Sequence, residues 1–336
     1  MKDKFLKLSA NENFYGCSPM VKKAIEKKIN EVSFYSDPPV KLEEALAEKF
    51  NINALKIAAG AGSVRLIDGI IQSFVEPGKE ILTFDKTFIA YSQLASFHKR
   101  TCATAPLKDY RCDINNLIPL VNAKTKVIFL ANPNNPTGTI ISHDEVERLM
   151  LNISSKIYVV LDEAYSEYVT DKSFPDSQKL QNTFPNLIIL RTFSKVYGLA
   201  GLRIGYAIAS EKIISVLKQN RIPHFMNCFS TVAALAALSD KKFVQRSILK
   251  NENERDFLYK NLKKTGYHVI QAHGNFLYVV FEDDNCKMKV YSSLKERGIL
   301  VCNLAVFGQD KSLRIGIGDR KCGKKILACL KEVITN

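Results

Sequence analysis

Apolar residues in this chain fall into short runs separated by longer stretches in which apolar and polar positions alternate with a helical period. The piece leading into Gly60 and the runs at 80–84, 126–131, 156–161, 187–190 and 204–209 read as buried strands. Between them, 18–30, 41–50, 64–74, 91–98, 144–151 and 211–221 read as amphipathic helices, the first opened by Ser18-Pro19, where proline costs no hydrogen bond. Strands that alternate with helices in this way predict an open, three-layer α/β fold around a mostly parallel sheet. Beyond residue 210 the texture changes. Long helices over 229–262, strands at 277–281, 299–302 and 313–317, and helices at 287–297 and from about 321 predict a smaller α+β domain. The expected division is a large domain over 36–225, with an N-terminal arm and small domain formed by 1–35 plus 226–336.

The polar residues that follow these strands carry the chemistry. The run 187–190 stops at Thr192, Ser194 and Lys195, and a glycine-rich segment then leads to Arg203. A lysine in a partly buried, cation-rich turn loses its proton more readily, and an unprotonated amine can attack a carbonyl to form a Schiff base. Taken alone, a Ser-Lys pair reads more readily as the cap of a strand, so its weight depends on the rest of the chain. The run 126–131 ends in Asn132-Pro133-Asn134-Asn135-Pro136-Thr137-Gly138, a composition that specifies a rigid turn. The run 156–161 ends in Asp162-Glu163-Ala164-Tyr165, which places a carboxylate at the mouth of a buried strand, where it needs a partner. Gly60-Ala61-Gly62-Ser63, directly before a helix, offers free backbone N–H groups as an anion site, or serves only as a tight turn. Asn135, Asp162 and Lys195 thus all lie past the carboxyl ends of strands, the side of an open α/β sheet on which ligands bind.

Composition narrows the field. The 336 residues are 46% hydrophobic and 24% charged, an ordinary globular balance. The longest apolar runs are far too short to span a bilayer, and the N-terminus has no apolar signal core, so the expectation is a cytoplasmic protein without a membrane partner. Eight cysteines show neither a CxxC pair nor metal spacing, which points to reduced thiols and no metal site. The formal charge of +14 is spread along helical segments, with no basic run carrying stacking aromatics. A solvated face or an anionic small substrate accounts for it better than a nucleic acid does.

A lysine amine, a carboxylate, an asparagine amide, a tyrosine hydroxyl, an anion-binding helix start and an arginine together suit pyridoxal 5′-phosphate. Its aldehyde needs the lysine, its ring nitrogen the carboxylate, and its phosphate the amides and the cation. The stretches NPNNPTG, DEAYSEY, FSK and GLAGLRIGY, with SANEN near the start and LRIGIG near the end, resemble fold type I aminotransferases, most closely the histidinol-phosphate aminotransferase branch. The resemblance implies that fold and a homodimer with shared sites, acting on a small-molecule amino donor such as glutamate and a small phosphorylated keto acceptor. It implies Lys195 as the cofactor lysine and proton carrier, Asp162 at the ring nitrogen, and Asn135 and Tyr165 at the ring 3′-oxygen. Phe88 would stack on the ring, while Gly62, Ser63, Val64, Ser194 and Arg203 would bind the phosphate with Tyr35 of the partner subunit. Tyr15 and Arg314 would meet the substrate, the arginine pairing with its carboxylate. The chain departs from the family pattern at Val64-Arg65, in the segment 223–227, and at Cys302, where an arginine reaching a substrate phosphate is common. Arg221, His224 and Lys311 are candidates to replace that charge. A phospho-amino-acid decarboxylase and a non-catalytic binding module remain as alternatives on the same scaffold.

Overall fold

The apolar runs come together in one seven-stranded sheet. In the computed structural model, which describes residues 5–309 and 311–335, the strands lie in the order Ile57–Gly60, Gly205–Ile208, Leu187–Thr192, Tyr158–Asp162, Thr125–Ala131, Glu80–Phe84, Thr101–Ala105. Pairings from Leu187–Thr192 to Thr101–Ala105 are all parallel, and Gly205–Ile208 runs antiparallel to both its neighbours. The mostly parallel sheet expected from continuous apolar runs is present, because such runs are stable only when both faces are covered.

Alternate residues along each strand feed two different cores. Val127, Phe129, Val160, Ile188 and Leu190 pack with helices Ser63–Phe74, Ala90–Phe97 and Glu211–Gln219 on one face. Ile128, Leu130, Val159, Leu161 and Leu187 pack with helices His143–Asn152 and Ser177–Thr183 on the other. This two-residue period produces the three layers. Helix Ser230–Ser239 joins helix Pro19–Lys28 in a third core beside strand Ile57–Gly60.

A second, antiparallel sheet follows the order Cys302–Asn303, Ser312–Gly316, Phe276–Val280, His268–Ile270, and it is backed by helices Lys241–Lys264, Asp284–Glu296 and Arg320–Thr335. The strand predicted at 299–302 divides at Val301. Ile299–Leu300 pairs in parallel with Leu6–Lys7 of the N-terminal arm, so the arm is hydrogen-bonded into this half of the molecule. Among the described residues, no helix is long and apolar enough to cross a membrane.

One buried ion pair ties two central strands at their carboxyl ends. Glu163, fully buried, accepts from Arg191 Nε (2.9 Å) and Nη2 (2.8 Å), and its other oxygen accepts from Ser177 Oγ at 2.6 Å. The guanidinium also lies 5.1 Å from the Phe50 ring centroid. Removing one member strands the other charge in the interior, whereas replacing both by apolar side chains removes the desolvation cost as well. Arg191→Met or Glu163→Leu alone is expected to lose about 3–5 kcal/mol of stability, and the double variant to recover most of it, as measured by denaturant unfolding. Single variants as stable as the double variant would refute this role.

Candidate active site

The carboxyl ends of the parallel strands open onto a cavity of about 340 Å³. Ser63, Val64, Phe88, Asn135, Asp162, Tyr165, Ser194, Lys195, Arg203 and Arg314 all line it. These residues come from both halves of the sequence, and ten of the sequence-predicted positions therefore meet in one place.

The anion-binding end is built from backbone. Gly62 caps helix Ser63–Phe74 with φ +85, and a Cβ there would come within 2.6 Å of Arg203 Nη2. Gly205 on the neighbouring strand approaches so closely that a Cβ would lie 2.4 Å from the Ser63 amide nitrogen. Only glycines allow the helix start, the strand and the guanidinium to converge. Arg203 donates from Nη1 to Ala200 O at 3.0 Å and, more loosely, to Ser194 Oγ at 3.4 Å. Free first-turn amides, a hydroxyl and a guanidinium at one helix N-terminus favour a phosphate dianion.

At the other end stands the carboxylate. Asp162 is 4% exposed; its Oδ2 accepts from the Tyr91 hydroxyl at 2.9 Å, and its Oδ1 has no hydrogen-bond partner. Burial, opposed by the Tyr91 hydrogen bond, raises its pKa from 3.8 to about 6. Tyr91 is held by stacking on Phe129, with centroids 4.8 Å apart, and it meets Phe88 edge-on at 5.6 Å. An orphaned, buried carboxylate oxygen is costly unless a charged donor occupies the cavity. The protonated ring nitrogen of pyridoxal 5′-phosphate is such a donor, and the remaining groups match its phosphate and aldehyde.

Between these ends lie the amine and its neighbours. Lys195 is half-buried, donates from Nζ to Ala10 O at 3.1 Å, and sits 5.2 Å from the Tyr165 ring centroid. The Tyr165 hydroxyl accepts from Asn11 Nδ2 at 3.0 Å. Arg314 donates from Nη1 to Asn135 Oδ1 and from Nη2 to Ser9 O at 2.6 Å, leaving Nε without a partner. The turn carrying Asn135 is fixed from within. Asn132 exchanges two 2.9 Å bonds with the Ile141 backbone, and Asn134 accepts from Thr87 Oγ1 at 2.7 Å while donating to Lys86 O at 3.0 Å. Phe88 is thereby tied to the same turn.

Two predicted residues lie elsewhere. Tyr15 is outside the cavity lining, packed edge-on against Phe14 and beneath Lys250, and burial with the nearby Glu254 pushes its phenol up to about 12. Tyr35 is 84% exposed and stacks on His224 at 4.5 Å. The candidate replacement cations do not line the cavity either. Arg221 is committed to Glu43 and Ala59 O, and His224 to Tyr35 and Ser36 O. Cys302 sits directly across from Arg314 in the antiparallel pair and so shares its face of the sheet. Reading the sequence by residue type missed Asn11 and Tyr91. The signal for Tyr91 was its place in the first turn of the helix that follows Phe88, whose ring it meets edge-on. Asn11 gave only the αL tolerance of asparagine, which matters here because its φ is +54.

The chain is similar to known proteins over nearly its whole length. The histidinol-phosphate aminotransferase of Caldicellulosiruptor saccharolyticus is 36% identical over 99% of this chain and 92% of its own length. That of Staphylococcus epidermidis is 38% identical, again over 99% and 92%. Among solved structures, the histidinol-phosphate aminotransferase from Sinorhizobium meliloti in complex with pyridoxal 5′-phosphate superposes with a TM-score of 0.91 at 28% identity, covering 98% of this chain and 90% of that one. Residues 3–327 match the family described as aminotransferase class I and II, and the chain belongs to that family.

Proposed function

We propose that this protein is a pyridoxal 5′-phosphate-dependent aminotransferase of the histidinol-phosphate type, moving an amino group from an amino acid such as glutamate to a small phosphorylated keto compound. The observation that carries this reading is the unpaired, buried Asp162 Oδ1 in the same cavity as the Lys195 amine and an anion-binding helix start. When bound, the cofactor supplies an aldehyde to capture amines and a protonated ring that withdraws electrons from the substrate Cα.

The residues divide this work by position. Gly62, Ser63, Val64, Ser194 and Arg203 would hold the cofactor phosphate, and Phe88 would cover one ring face. Asp162 would hold the proton on the ring nitrogen, its second oxygen kept in place by Tyr91. Asn135 and Tyr165 would donate to the ring 3′-oxygen. Lys195 would anchor the aldehyde and, once displaced, move a proton on and off the substrate Cα with its Nζ. Arg314 would orient the donor by a bidentate bond to its α-carboxylate, exchanging the Asn135 and Ser9 contacts for the substrate. The phosphorylated acceptor class rests on the similarity to histidinol-phosphate aminotransferases. At Cys302 the chain offers no second cation beside Arg314 to that phosphate.

We further read the functional unit as a homodimer in the cytoplasm, with domains divided as the sequence suggests at about 36–225. Exposed Val32, Phe34, Tyr35 and Ile222 form apolar surface next to a tyrosine that its own cavity does not use, which supports a shared site. Eight free cysteines suit a reducing compartment.

Purified protein given pyridoxal 5′-phosphate is expected to show a visible band between about 300 and 500 nm that is absent in Lys195→Ala. Glutamate should bleach it, and a keto acceptor should restore it. Protein that takes up no cofactor would overturn the reading.

The titration of Asp162 gives a pH signature. Because its folded pKa is raised, the cofactor-free protein holds this proton more tightly than the unfolded chain does. The resulting stabilisation is present below about pH 4 and is lost as pH rises through about 6. Cofactor-free Asp162→Asn should therefore gain stability over the wild type across that window, and the order should reverse when cofactor is bound. Thermal unfolding at a series of pH values, with and without cofactor, reads both, and a pH-independent difference in the cofactor-free pair would count against a buried charge.

The shared site is tested by mixing subunits. Tyr35→Phe and Lys195→Ala parents are each impaired, yet a hybrid dimer contains one site with both residues intact. Mixtures are expected to exceed the mean activity of the two parents, and a mixture equal to that mean would exclude the exchange.

A further inference from the structure

Asn11 occupies a position that the catalytic reading above leaves unassigned. It is 2% exposed, lines the cavity, and holds a left-handed backbone conformation with φ +54. Its amide nitrogen donates to the Tyr165 hydroxyl at 3.0 Å, and its own carbonyl accepts from Asn275 Nδ2 at 3.0 Å. Asn275 also reaches Glu12 O at 3.2 Å and immediately precedes strand Phe276–Val280 of the second sheet. The two residues before Asn11 engage site cations through their carbonyls, Ser9 to Arg314 and Ala10 to Lys195. The arm, the second sheet and the cavity tyrosine thus meet at one residue, the sheet through its backbone carbonyl and the tyrosine through its side chain.

A hydroxyl has one proton. When its oxygen accepts a bond from an amide, that proton is left for a different partner, and accepting one bond strengthens the donation of the other. We propose that Asn11 is a positioning residue that fixes the polarity of Tyr165, forcing its hydroxyl to donate into the cavity toward the cofactor ring oxygen, and that docking of the arm sets this contact. The inference rests on the cofactor reading above. It adds a reason for burying an asparagine in a left-handed turn: only Asn, Asp and Gly adopt that conformation readily, and only asparagine also offers an N–H to the phenol oxygen.

The test is a pH titration of the visible band of protein loaded with pyridoxal 5′-phosphate. Asn11→Gly keeps the left-handed backbone and deletes the amide, while Asn11→Asp keeps the shape and turns the donor into an acceptor. Donation from Tyr165 stabilises the ionised ring oxygen and so lowers the pH at which the band titrates. The midpoint in Asn11→Gly is expected to rise by about 0.5–1 pH unit, the equivalent of one neutral hydrogen bond. Asn11→Asp should raise it further, because its carboxylate draws the hydroxyl proton away from the ring. Since Asp162, Lys195, Arg203, Arg314 and Glu12 are unchanged in every variant, the order isolates the Asn11 contact. In a Tyr165→Phe background, Asn11→Gly should produce no additional shift. A wild-type band that titrates identically in Asn11→Gly, or an equal shift with and without the Tyr165 hydroxyl, would overturn the inference while leaving the cofactor reading intact. Failure of wild-type protein to bind the cofactor would overturn both.

Discussion

The structure depends on a charge that the protein cannot satisfy by itself. Strand Tyr158–Asp162 carries four consecutive apolar or aromatic residues into the centre of the sheet and ends on a carboxylate. Both sheet faces are covered, so that carboxylate is buried except toward the cavity, and Tyr91 binds only one of its oxygens. A solitary buried carboxylate costs far more than a hydrogen bond returns. Where this carboxylate is ionised, the fold therefore holds a site that a cationic donor stabilises, so the topology of a parallel sheet and the chemistry of the ligand become one constraint.

Much of this was legible in the sequence, for a physical reason. A strand buried on both faces must be apolar along its length, so its end is marked sharply, and polar residues just past it are easily seen. Asn135, Asp162 and Lys195 were located in that way. Gly62 was visible as part of a glycine turn before a helix, whereas the need for Gly205, whose backbone lies against the Ser63 amide, appears only in the structure. The strand Thr101–Ala105 was not visible, since it lies at the sheet edge with most of its residues partly exposed and has no continuous apolar run. Leu6–Lys7 and His268–Ile270 are too short to carry a period. Roles that depend on long-range partners were equally hidden. Arg221 looked free as a residue type, yet it is bound to Glu43, 178 positions away.

The same limit explains why the second ring of contacts eluded residue-by-residue reading. Tyr91 and Asn11 do not follow strand ends. Their importance comes from what they touch, Asp162 in one case and Tyr165 in the other, and neither contact has a local pattern. Both leave the group they touch with a defined polarity. Tyr91 spends its proton on Asp162, which keeps that carboxylate an acceptor with one free oxygen, and Asn11 spends an N–H on Tyr165, which keeps that hydroxyl a donor.

This division bears on how the site can open and close. Among the described residues, the arm meets Lys195 and Arg314 through the carbonyls of Ala10 and Ser9. Carbonyl oxygens are partial charges, so a substrate carboxylate, with full charge and two oxygens, competes well for Arg314. In the role proposed above for Arg314, the arm would satisfy both cations before substrate binds and yield this one to it. Its attachment is retained elsewhere, through the parallel pairing of Leu6–Lys7 with Ile299–Leu300 and through Asn275. Arg314 lies on strand Ser312–Gly316, which pairs with the strand that Asn275 immediately precedes, so the arginine assigned above to the donor and the anchor of Asn11 belong to one sheet.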